Sequence, residues 1–260
     1  MPILYFFISI GASIVGAISG IGGGVIIKPV LDSISPFDVS TISFLSGTTV
    51  LSMTIVTLFR SRKSSVKLDK RIGSLMAAGG IIGGLLGKML FDLIKAGFGN
   101  DRFIGATQSL MLALITTAVV FFTLYKDRIK PFHKDGNIFS ISIGLILGGI
   151  ASFLGIGGGP INLAVLYFFF SMDSKTAALS SIFIIFFSQI TNLIFTISSG
   201  NVPVFDPFIL ALMITGGIAG GLLGSHFSRK MTHKEIDHLF IGIMAVIILI
   251  CIYNFTGFLE

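Results

Sequence analysis

Gly20-Ile21-Gly22-Gly23-Gly24 recurs as Gly155-Ile156-Gly157-Gly158-Gly159, 135 residues further on. Both clusters lie inside apolar runs, where consecutive glycines break a helix and leave backbone N–H groups without partners. A helix that restarts after such a break aims those N–H groups, and the positive end of its dipole, at one point. Two restarts meeting near the middle of a membrane would favour an anion without needing a formal protein charge. The donors selected by this reading are the backbone groups of Gly22, Gly23, Gly24, Gly157, Gly158 and Gly159, and Pro160 suits the first turn of the second restart. No Ser-His-Asp arrangement, nucleotide-binding loop with its following Lys-Ser/Thr, or zinc-ligand spacing accompanies them. No enzymatic activity, metal or cofactor is therefore expected, and any pumping must draw on a gradient.

Few polar side chains stand in the apolar runs. Thr48, Thr49 and Ser52 lie on one, Ser188, Gln189 and Asn192 on another; Asn162 follows the second break and Gln108 lies elsewhere. Amides and hydroxyls can donate to an oxyanion, with Gln189 and Asn162 the first choices, or they can bond across helices. Lys28, four residues beyond Gly24, either snorkels to the outer interface or supplies positive charge on the ligand's path. Asp38 and Asp173 occupy repeated positions near helix starts, where capping competes with proton or cation coupling. Gly79, Gly83, Gly87 and their counterparts Gly216, Gly220, Gly224 recur every four residues, the spacing of a stripe for close helix packing.

The elements that must position these groups are membrane helices. Of 260 residues 53% are hydrophobic and 12% charged, about half the charged share of a soluble domain, and mean hydropathy is +0.97. Apolar runs reach the roughly 20 residues that cross a bilayer. The net charge of +6 sits in loops, which reads as orientation signal and excludes a nucleic-acid face. Cys251, alone, reads as a small buried hydrophobe. The four histidines, His133, His226, His233 and His238, read as membrane-proximal surface. The first apolar run has no basic n-region and reads as mature structure.

The repeat organises the chain as a first membrane repeat over 1–125, a cytoplasmic linker over 126–137 and a second membrane repeat over 138–260. Segments are expected at 3–31, 36–59, 72–94, 103–125, 138–170, 176–197, 207–227 and 239–255, with Ser35 capping the second and Pro36 in its first turn. Asp38 and Thr41 align with Asp173 and Thr176 at an offset of 135, and the two glycine stripes align at 137. With Phe103-Ile104-Gly105 matching Phe240-Ile241-Gly242, also at 137, four landmarks in one order indicate duplication.

Thirteen of the eighteen Lys and Arg residues fall in loops 60–71, 126–137 and 228–237, and positive loops stay inside. Placing all three inside forces segment five to enter and return. At 33 residues it would be about 50 Å long as one helix, against a core of roughly 30 Å. Two arms joined at the glycines resolve this. Segment one then enters from the outside and returns there, which makes the halves inverted. The expected fold class is all-α: a polytopic membrane protein of two inverted repeats, each a broken or re-entrant glycine-rich hairpin plus three transmembrane helices.

Residues 19–31, reading Ser-Gly-Ile-Gly-Gly-Gly-Val-Ile-Ile-Lys-Pro-Val-Leu, and residues 154–162, reading Leu-Gly-Ile-Gly-Gly-Gly-Pro-Ile-Asn, together with the doubled glycine-rich segments, make the chain resemble the TauE/SafE, or sulfite exporter, family. The resemblance implies a multi-pass inner-membrane secondary transporter of sulfite or an organosulfur anion. Pro29 matches the proline that follows the family motif, whereas Ala164 stands at the corresponding place in the second half. The leading reading is a secondary transporter of a small anion working by alternating access, with a passive anion channel and a non-transporting scaffold or receptor as the other classes. The partners implied are a small inorganic or organosulfur anion and the lipid bilayer, with a coupling proton and a homodimer left open.

Overall fold

The computed structural model describes residues 2–62, 66, 68–98, 101–132, 136–156 and 158–259. Among these residues the chain forms ten α-helices: α1 (Pro2–Ser19), α2 (Gly24–Ile34), α3 (Val39–Ser61), α4 (Lys70–Phe98), α5 (Asp101–Tyr125), α6 (Asn137–Phe153), α7 (Pro160–Phe170), α8 (Ser174–Ser198), α9 (Pro207–Lys230) and α10 (His233–Leu259). All but α2, α6 and α7 are long and apolar enough to cross a bilayer. Large apolar side chains such as Ile3, Phe7, Leu93, Leu114 and Leu249 stand exposed, while Ser9, Ser13, Thr49, Thr54 and Thr116 are buried. That distribution suits a protein whose surroundings are lipid tails and whose interior carries the polar groups. The chain is a multi-pass all-α membrane protein.

The two glycine clusters break their segments as the sequence requires. Helix α1 stops at Ser19 and α2 restarts at Gly24; α6 stops at Phe153 and α7 restarts at Pro160. Each pair folds back on itself. Tyr5 Oη at the start of the first hairpin lies 3.2 Å from Ser35 Oγ at its end. Phe139, at the start of the second, packs on Phe169 and Phe170 with ring centroids 5.2 and 6.2 Å apart. Positive φ at Gly20, Gly22, Gly155 and Gly158 makes the reversals possible.

One local expectation is corrected. The helix after the first hairpin begins at Val39, with Asp38 as its cap, and Ser35 instead terminates α2. The cause is Pro36, whose ring disfavours a helical residue before it; Ser35 is extended, at φ −98° and ψ 141°. Asp38 accepts from the Thr41 N–H at 2.9 Å, and Asp173 caps α8 by accepting from Lys175 and Thr176 at 3.0 and 3.1 Å. Both repeated aspartates thus cap helices.

The three basic loops meet at one end. Arg229 donates to the Arg60 carbonyl, Arg71 reaches Asn137 at 2.9 Å, and Lys126 pairs with Asp237 at 2.5 Å. The opposite end gathers Asp38, Lys95 and Asp101, with Lys95 3.3 Å from each carboxylate, and Thr41 donates to the Val204 carbonyl at 3.1 Å.

Helix packing has the symmetry of the repeat. Helix α4 packs on α6 as α9 packs on α1; α3 packs on α9 as α8 packs on α4; α5 meets its counterpart α10, and α3 meets α8. Counterparts cross antiparallel. Gly105 near the start of α5 faces Phe258 near the end of α10, and Gly47 of α3 faces Gln189 while Val50 lies with Ile185. The glycine stripes make the closest contacts. A Cβ added at Gly79, Gly83 or Gly87 would strike a backbone carbonyl of α6, those of Ile141, Leu145 and Gly149 in turn; one at Gly216, Gly220 or Gly224 would strike α1.

Gly83→Ala and Gly220→Ala should each destabilise the protein by about 1–3 kcal/mol through overpacking. Gly242→Ala, where an added Cβ meets nothing within 4 Å, should be neutral or slightly stabilising. Thermal unfolding of the purified variants in detergent checks this; three equal midpoints would remove the stripes from the packing argument.

Candidate functional site

The hairpin tips meet at the centre of the molecule. A Cβ at Gly24 would run into the Ile156 carbonyl, and one at Gly159 would lie 3.4 Å from Val25 Cγ2. The expected convergence of the two breaks is therefore present. The glycines themselves are closed off: Gly22 and Gly158 both lie against Ile185, which packs with Ala17, Val50 and Met53. Gly157 lies outside the described residues.

Open space begins on one side of this plug. A cavity of about 950 Å³ runs from the tip of the second hairpin to the end of the molecule that holds Asp38 and Lys95. Its walls come from α3, α4 and α8 and the segment Gly200–Val204, with Ser152 and Gly155 from the second hairpin. Ser152 donates to Asn192 Oδ1 at 2.8 Å, and Asn192 Nδ2 reaches Gln189 Oε1 at 3.4 Å. The Gln189 amide lies beside Gly47, about 3.5 Å from where a Cβ there would stand. Ser43 and Thr48 line the cavity beside them; the Thr48 hydroxyl donates to the Phe44 carbonyl at 2.8 Å and Ser43 Oγ is buried. Higher up, Lys88 pairs with Asp92 at 3.0 Å, and Lys95 also holds Ser40 Oγ at 2.7 Å. Donors below and paired cations above can strip and replace the hydration of a small oxyanion.

Of the residues chosen from sequence, Thr48, Gln189 and Asn192 line this cavity. Gly22, Gly23, Gly24, Gly158, Gly159, Thr49 and Asn162 do not; they are buried at the hairpin tips or inside α3. Thr49 spends its hydroxyl on the Leu45 carbonyl at 2.8 Å. Lys28 does not snorkel: it is buried and paired with Asp32 at 2.9 Å. Sequence reading passed over Lys88, Asp92 and Lys95, although charges in an apolar segment are a functional signal; the glycine stripe on the same helix drew the attention.

A second, small space of about 60 Å³ lies on the other side of the plug, toward the basic loops. Each of its eleven lining residues has its repeat counterpart, at an offset of 135 or 137, in the wall of the large cavity. Ala17 corresponds to Ser152, Thr57 to Asn192, Ser61 to Thr196, Ser225 to Lys88 and Arg229 to Asp92. The two spaces thus occupy repeat-related positions and differ in volume.

The profile of the family described as sulfite exporter TauE/SafE matches residues 5–250. The chain is 29% identical over 244 residues to the probable membrane transporter protein YunE of Bacillus subtilis (strain 168), covering 86% of this chain and 88% of that one. It is 25% identical over 245 residues to the probable membrane transporter protein YjnA of the same organism, covering 88% and 91%. No solved structure matches significantly.

Burial opposes ionisation of Asp38, but hydrogen bonds from Thr41 and Lys95 outweigh it and hold its carboxyl below the ordinary aspartate value. Burial likewise opposes ionisation of Asp173, and Thr176, Lys175 and His233 outweigh it. A folded pKa below the unfolded one stabilises above the unfolded value, about 4, and that stabilisation is lost as pH falls through the folded value. The contribution of the Asp38 cap to the thermal midpoint should therefore be flat from about pH 8 to about pH 5 and disappear only in stronger acid. The Asp38→Asn variant should differ from the parent on the plateau and converge on it in acid.

Proposed function

Because this chain belongs to the sulfite exporter TauE/SafE family, a family of membrane transporters, we propose that it is a secondary transporter of a small anion, sulfite or an organosulfonate, working by alternating access across the cytoplasmic membrane. The observation that carries this reading is the pair of counterpart cavities, about 950 Å³ on one side of the central plug and about 60 Å³ on the other. Two repeats with the same sequence plan can exchange conformations, which would close the first cavity and open the second. The basic loops mark the cytoplasmic end, so the wide cavity faces out. In this reading the halves are inverted in the bilayer; residues 1–125 and 138–260 are the exchanging units and 126–137 their cytoplasmic linker.

The anion binds in the outer state to the amides of Gln189 and Asn192, and the hydroxyls of Ser43, Thr48 and Ser152 turn toward it from their resting positions in the wall. Lys88 and Lys95 draw it in, their carboxylate partners keeping the wall from trapping it. The glycine breaks give the tips the compactness to pass between states. A passive channel would need both cavities open together, and the plug of Ala17, Val50, Met53 and Ile185 argues against that.

Purified protein in liposomes should take up labelled sulfite or sulfoacetate saturably and with trans-stimulation. Linear uptake with single-channel currents would favour a channel, and no flux of either anion would overturn the reading. State is tested in a Cys251→Ser background: Asn192→Cys should react with an impermeant methanethiosulfonate from outside at least ~10-fold faster than Thr57→Cys does from inside. Equal rates would sink the two-state account.

A further inference from the structure

Lys28 and Asp32 form an ion pair at 2.9 Å with only 2% and 4% of their side chains exposed. Both lie on α2, one and two turns beyond the first glycine break. A charge at this depth is expensive and points to a task. Only one carboxylate oxygen is engaged: Asp32 Oδ1 is buried with no hydrogen-bond partner among the described residues.

The pair sits directly behind the cavity floor. A Cβ at Gly155, which lines the cavity, would lie 3.3 Å from Lys28 Cε and against Ser43, whose buried hydroxyl also lacks a partner among the described residues. Only the thickness of a glycine separates the ammonium stem from the space where an anion would rest. The second repeat has no equivalent. At the corresponding offset of 135 it carries Leu163 and Tyr167, so the pair is a feature that one hairpin has and its counterpart lacks.

Other titratable groups on the packed elements are few. Helix α10 brings Cys251, buried, and Asn254, whose amide donates to the Pro29 carbonyl at 2.7 Å. Helix α1 brings Tyr5, bonded to Ser35. Helix α3 brings the hydroxyls of Ser43 and Ser46, and Asp38 at its head is engaged by Thr41 and Lys95.

Resting on the secondary-transporter reading, we propose that Asp32 is the coupling site for a proton and Lys28 the charge it releases to the anion. With Asp32 ionised the pair is neutral, and a monovalent anion beside it would leave a net negative charge in a low dielectric. When Asp32 takes up a proton, its carboxylate becomes a neutral acid and Lys28 keeps its ammonium. The pair is then +1, and one monovalent anion brings it to zero. The loaded site is neutral, and the anion and the proton cross together; on release Asp32 returns the proton and recaptures Lys28.

The test uses methanesulfonate, a monovalent anion of a strong acid that carries no proton of its own, in proteoliposomes loaded with pyranine. An acid-outside gradient should raise methanesulfonate uptake ~10-fold, with acidification of the lumen in step. Asp32→Asn should keep methanesulfonate exchange across equal pH but lose both the gradient dependence and the acidification. Lys28→Met/Asp32→Asn, which leaves no unpaired charge, should lose exchange as well. Uptake by the wild type without lumen acidification overturns the proposal whether or not either variant folds, and so does acidification undiminished in Asp32→Asn. If the wild type carries none of methanesulfonate, sulfite and sulfoacetate, the transporter reading itself fails and the proposal falls with it.

Discussion

At the centre of the molecule backbone meets backbone: Gly24 of one hairpin lies against the Ile156 carbonyl of the other. Hydrocarbon cannot solvate a broken helix, so each break needs protein around it. Neither hairpin is large enough to cover its own tip. Each tip is covered by the other tip and by the crossing of α3 and α8, which brings Val50 and Ile185 between them. The remaining architecture serves that arrangement. The glycine stripes of α4 and α9 hold α6 and α1 close enough for the tips to coincide, and the Asp38 and Asp173 caps fix where α3 and α8 begin.

Much of this was legible in the sequence because it depends on local rules. Runs of glycine in apolar segments read directly as breaks, an excess of length over the bilayer read as a hairpin, and glycine every fourth residue read as a packing stripe. Lys and Arg in three loops correctly placed those loops at a common end. The site was less legible. Backbone donors at Gly22–Gly24 follow from local rules, yet the structure buries all three, Gly22 against Ile185 and Gly24 against the other hairpin. Which of two repeat-related spaces is the wider depends on how the helices pack, which residue spacing does not fix. Of the two readings open for Lys28, snorkelling is excluded, because α2 packs against α10 and α3 and buries it with its i,i+4 partner Asp32, which spacing alone does not fix.

Near-symmetry and its exceptions divide the labour. The two walls are built from repeat-related positions but differ in chemistry: Lys88 lines the wide cavity where Ser225 lines the small one, and Asp92 where Arg229 does. A perfectly duplicated protein would hold its ligand equally well on both faces and have no preferred resting state. Substitutions between the copies tilt that balance without altering the common plan.

The exchange of partners between halves also has a consequence in time. Helix α1 finds its closest neighbour in α9, and α9 begins at Pro207. A ribosome adding roughly 5–20 residues per second reaches it only after about 10–40 s. Throughout that interval the first hairpin, with its uncovered glycine tip and its buried-to-be ion pair, must wait in or beside the membrane for a companion not yet made. The chain thus depends on whatever holds nascent membrane segments during synthesis, and it does so for its first helix more than for its last.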